Sequence, residues 1–289
     1  MILLKLDQIS GHVYANTEGV GGGNVCIIVL TEGVVAVDSG FMVSGRDFRQ
    51  SIATVTDKPV THLLLTHYHR DHVLGTQAFE DCQIVGHRLL KAKIEANLKT
   101  EWTPDGLKKM MNELRLTRPG QANLYESDGL RIILPTKTFE DRYVLEDGSR
   151  VEMVHTGGHT AGSSFVYIPE DKVLFTGDNV TSGRFPWAGD STADPDAWIE
   201  AFKTLLKLDC ETIIPGHGPL CDKSELTKYI AFFQAVKEKM QQFIREGRSM
   251  EETIKYEGYP KFYEPDSDRQ LQRRHDSLRQ WYRVWSTRV

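Results

Sequence analysis

The stretch Thr66-His67-Tyr68-His69-Arg70-Asp71-His72 puts four metal-ligating side chains within six residues, directly behind the apolar run His62–Leu65. A short apolar run reads as a buried strand, and Asp71 to Phe79 reads as the helix that follows it. Residues two apart in extended chain point the same way, so His67 and His69 can reach one ion. Asp71 and His72, at the helix start, point elsewhere and suit a second ion nearby. A lone histidine is more often a packed residue than a ligand, but a string this dense is a specific signal.

Further ligand candidates follow later strands. His159 sits in Gly157-Gly158-His159-Thr160, Asp178 in Thr176-Gly177-Asp178-Asn179, and His217 in Pro215-Gly216-His217-Gly218. Each is flanked by glycine, which leaves room for close approach. With the first string they complete two coordination shells. Zinc takes His and carboxylate ligands, and a catalytic site keeps a position open for water. The pattern therefore points to catalysis.

Outward from these residues the chain reads as two strand-rich blocks with helices. Gly21 to Asn24 precedes Val25–Leu30, and Thr31-Glu32-Gly33 separates that run from Val34–Val37, a hairpin signature. The N-terminal MILLKLDQIS reads as a first strand. Residues 86–118 carry helical spacing interrupted at Pro104. Arg131–Leu134, Arg150–Val154, Ser164–Ile168, Val173–Thr176 and Thr212–Ile214 read as strands, and Asp196–Leu206 as a helix. From Lys223 onward only helical signals remain, one begun by a Ser249–Glu252 capping box. The division expected is a core over 1–222 and a helical C-terminal extension over 223–289. Leu271, Leu278 and Trp285, with Trp281 and Tyr282 beside them, form a stripe that reads as a helix docked on its own domain, with a homodimer face as the alternative.

The 289 residues carry 35 Lys+Arg against 40 Asp+Glu, a net charge of −5, which argues against a nucleic-acid partner and for a small-molecule substrate. The four cysteines, Cys26, Cys82, Cys210 and Cys221, form no CxxC pair and do not make a disulfide scaffold. No run approaches the ~20 apolar residues of a membrane span, and the four-residue apolar start is too short for a signal-peptide core. A soluble, cytoplasmic protein without a membrane association is expected.

The ordered set Asp38, HxHxDH (His67 to His72), His159, Asp178 and His217 resembles the metallo-β-lactamase-fold superfamily of metallohydrolases, over residues from about 10 to 222. The resemblance implies an α+β, four-layer αβ/βα sandwich with its site along the edge between two sheets. It implies His67, His69 and His159 on a first metal, Asp71, His72 and His217 on a second, and Asp178 bridging both. Asp38 would orient a ligand imidazole. Two divalent ions, zinc by default with Mn, Fe or Ni also fitting the donors, would supply a hydroxide nucleophile that Asp71 orients and whose proton it passes on.

Kinship of fold does not fix a substrate. β-Lactam-cleaving members generally lack the bridging Asp, and nuclease branches often carry an insertion where only 39 residues separate Asp178 from His217. Glyoxalase II-type thioesterases share the ligands, but Ser163 or Ser164 stands where their pattern has a further His. The reading is a dinuclear hydrolase of an ester, thioester or lactone. Its alternatives are a mononuclear iron sulfur dioxygenase, a phosphodiesterase or ribonuclease, and a β-lactamase. Two segments could shape substrate choice: Gly183 to Asp190, whose Arg184, Phe185 and Trp187 could form a lip over the metals, and the helical stretch 91–118 around Trp102.

Overall fold

The structure, a computed structural model, describes residues 3–19 and 22–289. Met1, Ile2 and Gly21, parts of the expected N-terminal strand and turn, lie outside the described residues. Seven strands run in sequence order across one sheet: β1 (Asp7–Gln8), β2 (Val13–Asn16), β3 (Val25–Val29), β4 (Val34–Val37), β5 (Val60–Leu65), β6 (Gln83–His87) and β7 (Lys137–Phe139). Neighbours are antiparallel as far as β4 and parallel from β4 to β7. A second sheet holds β8 (Arg142–Glu146), β9 (Arg150–His155), β10 (Ser164–Ile168), β11 (Val173–Phe175) and β12 (Thr212–Ile214), in the order β12-β11-β10-β9-β8. Only its β11–β12 pair is parallel.

Helices are α1 (Met42–Ser51), α2 (Arg70–Val73), α3 (Arg88–Leu98), α4 (Pro104–Thr117), α5 (Pro195–Lys207), α6 (Lys223–Arg245), α7 (Met250–Ile254) and α8 (Asp268–Ser286). The alternation of side chains along each strand builds the layers. Cys26 and Ile28 of β3 meet Val35, Val37, Leu64, Val166 and Phe175 in a core between the sheets. Val25 and Ile27 face the other way, into a cluster with Phe48 of α1 and Ile94 of α3. On the second sheet, Phe165 and Tyr167 of β10 pack outward against Trp198, Phe233 and Trp281. Strands buried on both faces lose polar alternation, which is why β3 and β4 read as unbroken apolar runs. The result is the αβ/βα four-layer sandwich of an α+β protein.

The C-terminal helices are continuous with the outer core. Leu226, Tyr229, Phe233 and Met240 of α6 and Leu278, Trp281 and Trp285 of α8 share one cluster with α5 and the second sheet, so the α8 stripe is buried against its own chain, while Leu271 is exposed. Pro104 begins α4 at its first position, with Thr103 accepting from the Gly106 N–H at 3.2 Å. The expected helix Asp71–Phe79 is instead a single turn, α2, then a 3-10 turn over Thr76–Phe79. The break falls at Gly75, where a Cβ would lie 2.0 Å from the Ser39 carbonyl oxygen. Arg131–Leu134 forms no strand. The Arg131 and Ile133 N–H groups donate to the Gln77 and Thr76 side chains instead of a ladder. Among the described residues, no helix is long and apolar enough to cross a membrane.

Candidate metal centre

The site begins where β4 and β5 end. Asp38 follows β4 in the left-handed region, at φ 57°, which Asp tolerates better than most residues. Its N–H donates to the Leu64 carbonyl at 2.8 Å. The fully buried carboxylate accepts from the Thr66 N–H at 2.8 Å, the Thr66 hydroxyl at 2.8 Å and His72 Nδ1 at 2.7 Å. Thr66 Oγ1, its hydrogen committed to Asp38, accepts from His67 Nδ1 at 3.1 Å. One carboxylate thus holds a hydrogen on Nδ1 of both imidazoles and leaves Nε2 of each as the atom that can meet an ion. Those Nε2 atoms are buried and have no hydrogen-bond partner.

Asp178 sits among these lone pairs, in a turn after β11. Its Oδ1 lies 3.2 Å from His72 Nε2, and its Oδ2 lies 3.4 Å from His217 Nε2, 3.6 Å from His159 Nε2 and 3.9 Å from His67 Nε2. The approach requires Gly216, where a Cβ would fall 2.1 Å from Asp178 Oδ1. Two groups of donors result: His67, His69, His159 and Asp178, and Asp71, His72 and His217, with ligand atoms within 4.8 Å of one another in each group. Asp71 Oδ2 is 3.3 Å from His217 Nε2. Asp38 also falls in a group with His67 and His72, but its oxygens are already spent on Thr66 and His72.

His69 is supported by a residue the sequence did not single out. His69 Nε2 lies 3.3 Å from Asp190 Oδ2, while its Nδ1 faces His159 Nε2 at 2.9 Å. Asp190 also accepts from the Tyr68 hydroxyl, from the Thr192 N–H at 2.7 Å and from Thr192 Oγ1 at 2.5 Å. Only the local turn signature Asp190-Ser191-Thr192, in which an Asp side chain bonds the backbone two residues on, could have marked it.

Burial, with the charges of neighbouring histidines, pushes His67 and His69 well below the usual imidazole range and His159 to about 4. All three are lone-pair donors. Burial pushes the Asp71 and Asp178 carboxyls up, but His217 and His72 outweigh it and hold both well below the usual carboxylate range. Conversely, burial works against charge on His72 and His217, yet Asp178 with Asp38 or Asp71 raises both, His217 to about 9. The cluster thus draws positive charge to itself, as protons when nothing else is bound. Orphaned Nε2 atoms, an orphaned Asp178 Oδ1 and neutral imidazoles make a donor set that fits divalent ions, whose binding displaces such protons.

Of the proposed lip, Trp187 stands over the centre, its ring centroid 5.2 Å from that of His69 and 6.1 Å from that of His159. Arg184 is exposed. Phe185 turns away, packing on Phe232 at 5.5 Å and stacking on Trp281 at 6.0 Å, because burying its ring in the outer core outweighs covering an open cleft. The helical stretch 91–118 is a layer, with Ile94, Trp102, Leu107 and Met111 in the first outer core. Cys221 is half-buried, and burial pushes its thiol up to about 12.

This fold and this ligand constellation define a class of metal-site proteins, and comparison with known proteins names it. Residues 19–217 match the family described as the metallo-beta-lactamase superfamily, and the chain belongs to it. Among curated relatives it is similar to the linear primary-alkylsulfatase of Pseudomonas sp. (strain ATCC 19151), 22% identical over 66% of this chain and 40% of that protein. It is also similar to the 2,4-dinitroanisole O-demethylase subunit alpha of Nocardioides sp. (strain JS1661), 26% identical over 74% of this chain and 57% of that one. The chain thus spans about half the length of these relatives. Among solved structures, a double mutant of the sec-alkyl sulfatase PisA1 superposes on 98% of this chain and 50% of its own, with a TM-score of 0.74 at 17% identity, a likeness of fold.

Proposed function

We propose that the chain is a metal-dependent hydrolase that binds two divalent ions, zinc by default, and cleaves an ester, thioester or lactone of a small molecule. The observation that carries this is the position of Asp178, with Nε2 atoms from both donor groups 3.2–3.9 Å from its two oxygens, as a carboxylate shared by two ions requires. His67, His69 and His159 would hold one ion, Asp71, His72 and His217 the other. Bound there, the ions would acidify a water molecule and polarise the substrate oxygen.

The rest is done by side chains. Asp38 and Asp190 lock the ligand imidazoles in the tautomers that face the centre. Asp71, partly exposed and kept anionic beside His217, can orient a water and carry its proton to the leaving group. Trp187 narrows the approach to His69 and shields it from bulk water. The alkylsulfatase name among the relatives favours a second reading, cleavage of a sulfate ester at the same centre.

Elemental analysis of protein purified without added metal, paired with a screen of thioesters, lactones and alkyl sulfates, tests the proposal. Two zinc or manganese ions per chain with turnover in one class are expected. One iron per chain, with oxygen consumed on a persulfide, would replace it with the dioxygenase reading.

A further inference from the structure

Although the chain is acidic overall, one arginine stands beside the candidate metal centre. Arg273, on the first half of α8, lays its guanidinium over the Trp187 ring with Cζ 4.9 Å from the centroid. Trp187 in turn lies 5.2 Å from His69, so these two separations in series put the guanidinium at most about 10 Å from that ring. Arg273 is exposed yet walled in by protein. Desolvation pulls it below the usual guanidinium range, as do the charges of Arg118 and Arg184, while those of Asp71 and Asp178 oppose.

The three arginines also share a lack of counter-ions. Most arginines here are ion-paired, including the adjacent Arg274, 3.2 Å from Glu264. Among the described residues, no carboxylate lies within 4.0 Å of the Arg273, Arg184 or Arg118 guanidinium groups, and Arg118 donates only to the Tyr125 hydroxyl, at 3.2 Å. Stacking one face of a guanidinium on an aromatic ring leaves its edge donors free for a planar or tetrahedral oxyanion.

We propose that Arg273, backed by Trp187, binds an anionic group of the substrate beside the centre. The substrate class is then an ester or thioester whose acyl part carries a carboxylate or comparable oxyanion several bonds from the cleaved bond. This rests on the hydrolase reading above and narrows it.

Two esters with one leaving group and one chain length separate the alternatives: 4-nitrophenyl hexanoate and the 4-nitrophenyl monoester of adipic acid. The metal-loaded wild type is expected to favour the adipate ester in kcat/KM. In Arg273→Gln that preference falls about tenfold, through KM, with metal content retained, and Arg273→Lys recovers part of it, a lysine keeping the charge without the planar fork. Equal losses on both esters, or none, would overturn the assignment. Should the wild type cleave neither ester, the hydrolase reading loses its support, and calorimetric titration of the metal-loaded protein with 1-hexanesulfonate decides the anion site alone. Weaker sulfonate binding in Arg273→Gln sustains it, and equal binding refutes it.

Discussion

Asp38→Asn should disarm both donor groups without touching a ligand. The amide keeps one oxygen for the Thr66 N–H but replaces the second, which takes the Thr66 hydroxyl and His72 Nδ1 hydrogens at 2.8 and 2.7 Å, with an NH2 group. Donors then face donors. Relief comes by reversal along both branches: His72 gives up its Nδ1 proton, and the Thr66 hydroxyl turns toward His67 Nδ1, 3.1 Å away. Each imidazole must then carry its proton on Nε2, the atom facing Asp178. Orienting groups of this kind are worth about 10–100-fold in metal affinity, or ~1.4–2.7 kcal/mol per ion. The lost charge-assisted bond adds ~1.5–3 kcal/mol of destabilisation, several degrees of Tm for a chain of this size. Chelator competition resolves the two dissociation constants, and circular dichroism follows the fold. Thr66→Val is the companion variant, because it cuts only the His67 branch and should weaken one binding step. Unchanged constants in Asp38→Asn, or identical effects of the two variants, would refute the tautomer argument.

Other consequences follow from packing and titration. Trp281 is fully buried between the outer core and Phe185, so Trp281→Ala should cost about 3–5 kcal/mol and roughly 10 °C of Tm in a single thermal transition; separate melting of α6 and α8 would show that the C-terminal helices are not part of one cooperative unit. His87 stacks on His155 at 3.7 Å, and burial first, then the His155 and Arg88 charges, push it down to about 4. Unfolded histidine titrates near 6.5, so this stabilisation is complete above about pH 6.5 and lost as pH falls toward 4. His87→Gln should flatten the pH dependence of urea unfolding over that window, and an unchanged slope would remove His87 as its source.

The residues that gather into the two donor groups were legible because their signal is local: HxHxDH spans six residues, and His159, Asp178 and His217 each stand at a glycine-flanked turn after an apolar run. The hairpin of β3 and β4 was legible for the same reason. Where tertiary contacts decide, the sequence misled. Arg131–Leu134 is apolar enough for a strand, yet its N–H groups are taken by Thr76 and Gln77 side chains. The opposite error falls on β8, whose exposed and half-buried residues alternate at a sheet edge, too polar to stand out. The helix from Asp71 was cut by the Gly75–Ser39 approach, a contact thirty-six residues apart in the chain. Nothing local tells Phe185 from Trp187, two residues apart in the same aromatic loop. Arg273 carries no local sign at all, since its meaning comes from a ring 86 residues away.

That distance explains why the last helix bears on the chemistry. The Ala188 N–H donates to Ser277 Oγ at 2.8 Å, and Gln280 Nε2 donates to the Ser191 and Ala193 carbonyls at 3.1 and 3.0 Å. Those bonds grip, from α8, the loop that carries both Trp187 and Asp190. Asp190 sets the ring of His69, and Trp187 carries Arg273 over its ring. The candidate ligand His69 and the proposed anion contact at Arg273 are therefore both supported from one helix, whose Leu278, Trp281 and Trp285 anchor it in the outer core. The division into a catalytic core and an appended helical tail follows the sequence pattern, while the hydrogen bonds run across it. Substitution of Arg273 should therefore change which substrates are accepted while the donor groups stay as they are, whereas substitution of Ser277 or Gln280 should disturb Asp190, and with it His69, as well.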